Sequence, residues 1–577
     1  MQVEAQFSEI GDAPLELRIS RSSPGRYAIH EFAKNVYDVH AFGRDGHELA
    51  ADRPDSSGWI VREHGGAVRV TYKVYGDRVD GTYLAIDATH AHLNMPAVIM
   101  WARGFDDRPA MLAFELPQRA PWRLATQLHP GGTALEATAP NLQYLMDSPV
   151  ELAPLGLKEF EVGGRRFRFA AHHLGSDAEL ADLVRDVQVI VREEGGVFGE
   201  FPEYEPGDYT FLADYLPYAM SDGMEHRNST VMTSSSSIRD DRLGLLDTVA
   251  HEFFHSWNVE RIRPRDLEPF DLDRENTSGS LWLAEGFTDY YAWLTMARAG
   301  LRDRTSALRA MSAVVDTVVT SPGRRARSAV EASRMAPFID GTRPVDRTNW
   351  PATTLSYYHF GDAIALALDL TLRGRADART LDDFMRALWR DYGRPGGARE
   401  GYVDRPYNNS EAEARLAEVS GDPAFARDFF ARYIEGRETA DYATLLRRAG
   451  LLVRKISPGR AWWGDVDFEL RDGIARVSSL VAESWPAYAS GLEQDDTVVQ
   501  LDGTRINSAD DVAAVLRRRR PGDRISVAFV DRAGATQRGM VTLAENPHIE
   551  IVAMESAGAR LGAEERAFRE RWFGSRQ

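Results

Sequence analysis

From Leu15 to about Phe169 the chain alternates apolar and polar residues in short runs, Ala67 to Tyr75 and Thr82 to Ile86 among them, broken by Gly, Pro and Asp. Residues two apart share one face of a strand, so this pattern predicts hairpins and an all-β N-terminal domain over 1–175. After about Ala178 the apolar positions recur at helical spacing, over Ala178 to Glu194, Leu243 to Val259, Leu281 to Ala299, Thr305 to Val319, Gly361 to Arg373, Leu381 to Tyr392 and Asp422 to Ile434. That spacing predicts a mainly α-helical domain over 176–455. Short strand patterns return between Trp462 and Leu543, with turns expected at Asp472-Gly473, Asp502-Gly503 and Pro521-Gly522, which predicts a small β-rich domain over 456–545. The remainder, 546–577, is predicted as a helical tail, amphipathic and charged from Glu555 to Trp572. The expected fold class is multidomain α+β.

Length and composition agree with that map. At ~100–200 residues per domain, 577 residues make about three to five domains. With 43% apolar and 27% charged residues the chain has the make-up of a globular protein. Asp and Glu outnumber Lys and Arg by 87 to 69, a net charge of -18, so the summed field repels phosphate backbones and anionic lipids. Neither a nucleic acid nor a membrane partner is expected. The basic run Arg517 to Arg520 closes a periodic stretch begun near Ala509 and is expected to be a solvated helix C-terminus.

No cysteine is present, which removes thiol nucleophiles and thiolate metal sites, so a metal in this chain is held by His and carboxylates. The start shows no basic segment followed by an apolar one, and no apolar run reaches ~18 residues. The expected location is cytoplasmic as the chain stands, and periplasmic or secreted if a signal peptide was removed. No Gly-rich phosphate loop is found, so nucleotide dependence is not expected. Thr233 and Ser234 to Ser237 lack a Gly-x-Ser-x-Gly frame and are expected to form a polar loop. His90-Ala91-His92 would put two imidazoles on one strand face, but no carboxylate nearby in the sequence completes a metal set, so both are expected to be structural.

The chemistry concentrates at His251-Glu252-Phe253-Phe254-His255, inside the apolar helical stretch with Leu245, Leu246 and Val249. On a helix, positions i and i+4 lie about 40° apart, so His251 and His255 stack on one face as two ligands of a single zinc ion. Glu252, about 100° round from His251, can reach a water there without taking a coordination position. With 14 His in the chain, the chance expectation of this string is only about 0.02. A catalytic zinc needs a third protein ligand, and the best downstream candidate is Glu285, an acid in the apolar segment Leu281 to Tyr290. Asp289 follows one turn later, well placed to accept the second N–H of a zinc-bound imidazole.

These residues, with the strings His251 to Asn258, Arg261 to Pro264, Trp282 to Tyr291, Gly223 to Thr230 and Ser356 to Gly361, resemble the PDZ-domain-containing glycyl aminopeptidases. These are gluzincin zinc metallopeptidases distantly related to aminopeptidase N. The resemblance spans most of the chain and implies a thermolysin-like catalytic domain with one zinc per chain. It implies that Gly223, Met224, Glu225 and His226 form the substrate-binding exopeptidase motif, with Glu225 binding the free α-ammonium. It implies that Tyr358, rather than the adjacent Tyr357, stabilises the oxyanion; Phe360 stands where the family usually has Lys. The third domain resembles a PDZ domain through Trp463-Gly464, Trp485 to Leu492 and Gln500 to Gly503. Asp465 in its carboxylate-binding loop and Asp495 depart from the pattern and favour a structural or gating domain over capture of C-termini.

The expected function is therefore a zinc aminopeptidase that removes small N-terminal residues, Gly and Ala, from peptides with a free N-terminus. The alternatives are an endopeptidase or epoxide hydrolase on the same zinc site, and a PDZ adaptor with a silent peptidase domain.

Overall fold

The computed structural model describes residues 1–118, 120–339, 346–471 and 474–577, so the turn expected at Asp472-Gly473 lies outside the described residues. In the N-terminal region the strand Ala67–Val74 buries every second side chain. It pairs antiparallel with Gln2–Ser8 on one side and Val36–Phe42 on the other. Val68, Val70, Tyr72 and Val74 thereby join Leu15, Leu17, Trp59 and Val61 in one apolar core. A second antiparallel sheet runs Arg123–Thr126, Val150–Ala153, Ala91–Leu93 and Ala85–Ile86.

The hairpin of Gly156–Val162 and Arg165–His173, assigned by its alternation to the N-terminal domain, belongs instead to the middle domain. It opens a five-stranded sheet that continues through Asp208–Tyr215 and Ser229–Ser234 to the terminal strand Asp222–His226. The domain boundary expected at 175 therefore moves back to the turn before Gly156. Alternation predicts strands but says nothing of which sheet they join. Ala125, Ala153 and Leu155 pack on Ala170, Leu212 and Val231 where the N-terminal region meets this sheet.

Helices cover the sheet. Asp177–Phe198 opens on a capping box between Ser176 and Glu179 and stops at Gly199, whose φ of 83° is left-handed. Arg242–Phe254 is capped by the Asp241 side chain and buries the stripe Leu245, Leu246, Val249, Ala250, Phe253 and Phe254. The expected helix Leu281 to Ala299 is two, Leu281–Ala284 and Gly286–Arg298, divided at Glu285. Tyr357–Arg373 starts a turn earlier than its apolar pattern predicts, which puts both tyrosines in its first turn. No described helix is long and apolar enough to cross a membrane.

The C-terminal β domain is an insertion. It has its own core around Val477, Leu492, Val498, Val527 and Val541, and it hangs between Leu451–Lys455 and Ile549–Ala553, which pair antiparallel with each other. The segment expected to be a separate helical tail is part of the middle domain. Ile551, Phe568 and Trp572 enter the main core, Trp572 Nε1 donates to Tyr290 Oη at 2.9 Å, and Arg576 pairs with buried Asp382 at 2.7 Å. Its charge pattern reports only the outward face.

Candidate active site

His251 lies in the last turn of the Arg242–Phe254 helix and His255 is the residue that caps it. Their Nε2 atoms face each other at 3.0 Å. Each opposite nitrogen is held: His255 Nδ1 donates to the Asn258 carbonyl at 2.6 Å, and His251 Nδ1 lies 2.8 Å from Asp289 Oδ1. Those contacts use each Nδ1 as a donor and leave both Nε2 atoms pointing at one spot.

Glu285 reaches the same spot, with Oε2 at 3.3 Å from His255 Nε2 and 3.7 Å from His251 Nε2. It gets there because the chain breaks helix at this residue. The Asn258 side chain donates to the carbonyls of Leu283 and Ala284 that the break exposes, both at 3.0 Å. In tetrahedral zinc sites with bonds of about 2.0–2.1 Å, neighbouring donors stand ~3.3 Å apart. The donor set fits such an ion and leaves one position open.

Charge at the cluster follows from burial and proximity. Burial opposes charge on His255, but the Glu285 and Glu225 carboxylates outweigh it and lift the imidazole to about 9. His251 is likewise held well above its ordinary range, against burial, by Asp289 and Glu285. Burial disfavours the Glu285 carboxylate too, yet the two imidazoles drive it well below the usual range. Burial raises Glu252, more than the two imidazoles lower it. Burial also pushes Glu225 well above its ordinary range, and the neighbouring Glu285 and Glu252 add to the shift against the pull of His255.

Two helices carry Tyr358 to the site. A Cβ on Gly286 would lie 2.3 Å from Gly361 Cα, and one on Gly361 would lie 1.8 Å from the Trp282 carbonyl oxygen, so the backbones touch and neither glycine can be replaced without parting the helices. One turn before Gly361, the Tyr358 ring centroid stands 6.2 Å from that of His251. Tyr357 is buried, stacks on Tyr358 at 4.7 Å and meets Tyr27 edge-on at 6.2 Å. Phe360 is buried in the main core.

The terminal strand Asp222–His226 lies across from the metal-type donors. Residues 223 and 225 share one face: a Cβ on Gly223 would sit 2.0 Å from Glu252 Oε1, and Glu225 offers a carboxylate oxygen within 4.8 Å of Glu252 and His255. Met224 and His226 point the other way. Met224 is wholly buried and His226 Nδ1 pairs with Asp147 at 2.9 Å. Of the four residues expected to bind substrate, only Gly223 and Glu225 therefore turn their side-chain face to the site. An open cleft of about 810 Å³ runs beside them, lined by Gly223, Ser234, Thr248, His251, Glu252 and Trp293. Thr233 and Ser234, expected in a loop, are the end of the strand Ser229–Ser234.

Three family models match this chain: the Peptidase M61 N-terminal domain over 1–154, the M61 glycyl aminopeptidase over 244–364, and the PDZ domain over 465–543. Two of the three are M61 models, and the glycyl aminopeptidase one spans the donor cluster. In three dimensions this chain resembles an aminopeptidase N family protein from Idiomarina loihiensis, with a TM-score of 0.83 at 23% identity, over 99% of this chain and 97% of the other. That is a likeness of fold through every domain. No curated protein matches the sequence.

The glycyl aminopeptidase match includes His251, Glu252, His255, Glu285, Asp289 and Tyr358 and excludes Glu225. The N-terminal domain contributes two groups that the sequence patterns do not signal. The Tyr27 hydroxyl donates to Glu285 Oε1. Arg26 pairs with Asp222 and donates to the Gly223 carbonyl at 3.1 Å. Neither residue stands in a recognisable motif, and both lie more than a domain away in the chain from what they touch.

Proposed function

We propose that this protein is a zinc-dependent aminopeptidase of the M61 type that removes small N-terminal residues, Gly and Ala, from peptides. The metallo-aminopeptidase class rests on the family match. The observation that carries the finer assignment is the buried Glu225 carboxyl beside the donor cluster, whose charged form burial and the Glu285 and Glu252 carboxylates disfavour and His255 supports. A substrate α-ammonium supplies the missing countercharge. A blocked N-terminus leaves Glu225 buried and unpaired, a penalty of about 1–3 kcal/mol, or roughly 5- to 150-fold.

His251, His255 and Glu285 are the residues that would hold zinc, which when bound supplies a Lewis acid and a water of lowered pKa. Glu252, buried and raised above the ordinary carboxylate range, takes a proton from the attacking water and delivers it to the departing amine. Tyr358 donates its phenolic proton in a hydrogen bond to the carbonyl oxygen as negative charge develops there. The terminal strand aligns the peptide backbone, and Glu225 sets the register by holding the first residue. Asp289 and Asn258 keep the imidazoles in their donor tautomer.

For the PDZ domain we infer a structural or gating role. Trp462 Nε1 donates to Asp465 at 2.8 Å and His548 Nε2 stands 3.0 Å from the same oxygen. An aspartate so fixed at the binding loop opposes an incoming carboxylate.

The test compares glycyl- and alanyl-anilides with their N-acetylated forms, with and without a chelator. Chelator-sensitive release from the free-amine substrates alone is expected. Equal cleavage of both forms would transfer the site to an endopeptidase, and no cleavage of either in zinc-loaded protein would support a silent peptidase domain.

A further inference from the structure

His90, expected to be structural for want of a carboxylate, is not short of one. Two arrive from distant parts of the chain. His90 immediately precedes the strand Ala91–Leu93, and Glu151 lies on its partner Val150–Ala153 in the N-terminal sheet. His172 and Asp214 lie directly opposite each other on the parallel strands Arg165–His173 and Asp208–Tyr215 of the middle-domain sheet. One ligand atom from each of the four residues falls within 4.8 Å of the others. His90 Nε2 stands 3.9 Å from Asp214 Oδ2, and His172 Nδ1 stands 3.6 Å from Asp214 Oδ1.

All four side chains are removed from water, with exposures of 0% for His90, 1% for Glu151, 6% for His172 and 2% for Asp214. Yet His90 Nε2, Glu151 Oε1, His172 Nδ1 and both Asp214 carboxylate oxygens have no hydrogen-bond partner among the described residues. Buried polar atoms are almost always paired, and five unpaired ones converging on one spot call for a ligand. The outward-facing atoms are held as they are around metal sites: His90 Nδ1 lies 3.3 Å from Asp87 Oδ1, and Glu151 Oε2 lies 3.1 Å from His92 Nδ1. Among the described residues no lysine or arginine pairs with Glu151 or Asp214, whose ion-pair partners are all histidines. Two buried carboxylates with neutral imidazoles balance a dication.

We propose that His90, Glu151, His172 and Asp214 form a second, structural metal site that binds one zinc-type divalent transition ion and clamps the N-terminal domain to the middle-domain sheet. Two imidazoles among the donors select against calcium and magnesium, and four protein donors leave no open position for chemistry. The N-terminal domain so held is the one that brings Arg26 and Tyr27 to the active site.

The test is a count of zinc in the full-length protein, purified from zinc-supplemented medium and cleared of loose metal by a weak chelating resin. Two zinc ions per chain are expected in the wild type. His172→Gln and Glu151→Gln should each keep one, as should His255→Ala, and the combination of His172→Gln with His255→Ala should keep none. A crystal of the wild type measured across the zinc absorption edge gives a second measurement that needs no variant, with an anomalous peak expected between the four side chains. One zinc per chain in the wild type, two retained in both His172→Gln and Glu151→Gln, or no anomalous peak at the four donors would each overturn the proposal in favour of a cluster that shares protons.

Discussion

Replacing Gly223 by alanine tests the general base without replacing it. Gly223 has an ordinary backbone conformation, so the substitution adds one methyl group and no backbone strain. That methyl would stand 2.0 Å from Glu252 Oε1, 2.6 Å from its Cδ and 3.0 Å from its Cγ. Ordinary contact begins at 3.4 Å, so the carboxylate must retreat by about 1.4 Å, that is 3.4 less 2.0. Glu252 sits at the end of a packed helix, and its freedom lies in its own torsions, each off-rotamer shift costing about 0.5–1.5 kcal/mol. A misplacement of about 1 Å in a reacting group costs roughly 10²-fold in rate. Gly223→Ala should therefore lower kcat about a hundredfold on alanyl-anilide while zinc content and thermal midpoint stay near wild type, since the three nearest atoms to the methyl all belong to Glu252 and none to a metal-type donor. A kcat within about threefold of wild type, with KM unchanged, would refute the assignment of Glu252 as the proton carrier.

Glu225→Gln should lower kcat/KM for free-amine substrates by roughly 5- to 150-fold, the loss of a charge-assisted contact, and leave zinc content unchanged. Tyr27→Phe removes the hydroxyl donor to Glu285 and should weaken zinc about 10- to 100-fold in a chelator competition, with the fold retained. Burial lowers His255 but Glu285 and Glu225 outweigh it and lift it to about 9, so a proton competes with zinc below that value. Zinc affinity should rise by about tenfold per pH unit for each proton displaced and level off only once both His251 and His255 are neutral, which metal titration at several pH values measures. His548, raised to about 10 by Asp316 and Asp465, adds stability that is complete below its ordinary 6.5 and lost as pH passes through about 10. The difference in thermal midpoint between wild type and His548→Gln should accordingly close in alkaline buffer.

The parts of the site legible in the sequence are those that secondary structure alone assembles. His251, Glu252 and His255 share a helix, and Glu285 with Asp289 stands out as acid in an apolar segment. The strands 208–215, 222–226 and 229–234 are illegible for a specific reason. With the turn at 227–228 they carry Asp214, Glu225, His226, Asn228 and Thr230, all buried, so a pattern that infers burial from apolarity takes them for exposed loop. What pairs them comes from the N-terminal domain at two positions, Asp147 for His226 and Gln127 for Asn228, and from the neighbouring strand at a third, the Met224 carbonyl for Thr230. The inserted PDZ domain shows the same limit. Its composition marks its edges, but nothing local says that Leu451–Lys455 and Ile549–Ala553 pair across it.

The same limit hides how far the N-terminal domain is part of the catalytic apparatus. Gly25 and Gly81 press on Met224 so closely that a Cβ on either would come within 2.5 and 2.7 Å of its side chain. Met224 is the residue between Gly223 and Glu225, so that pressure fixes the strand from behind while Arg26 holds it through Asp222 and the Gly223 carbonyl. Tyr27, next in the chain, holds Glu285. Three consecutive residues, 25 to 27, thus act on the strand that faces the substrate and on a metal-type donor at once. A domain that only docked beside the peptidase could loosen without consequence for turnover. Here loosening removes the backing of the terminal strand and the Tyr27 hydrogen bond to Glu285 together, so substrate alignment and metal retention should fail in step.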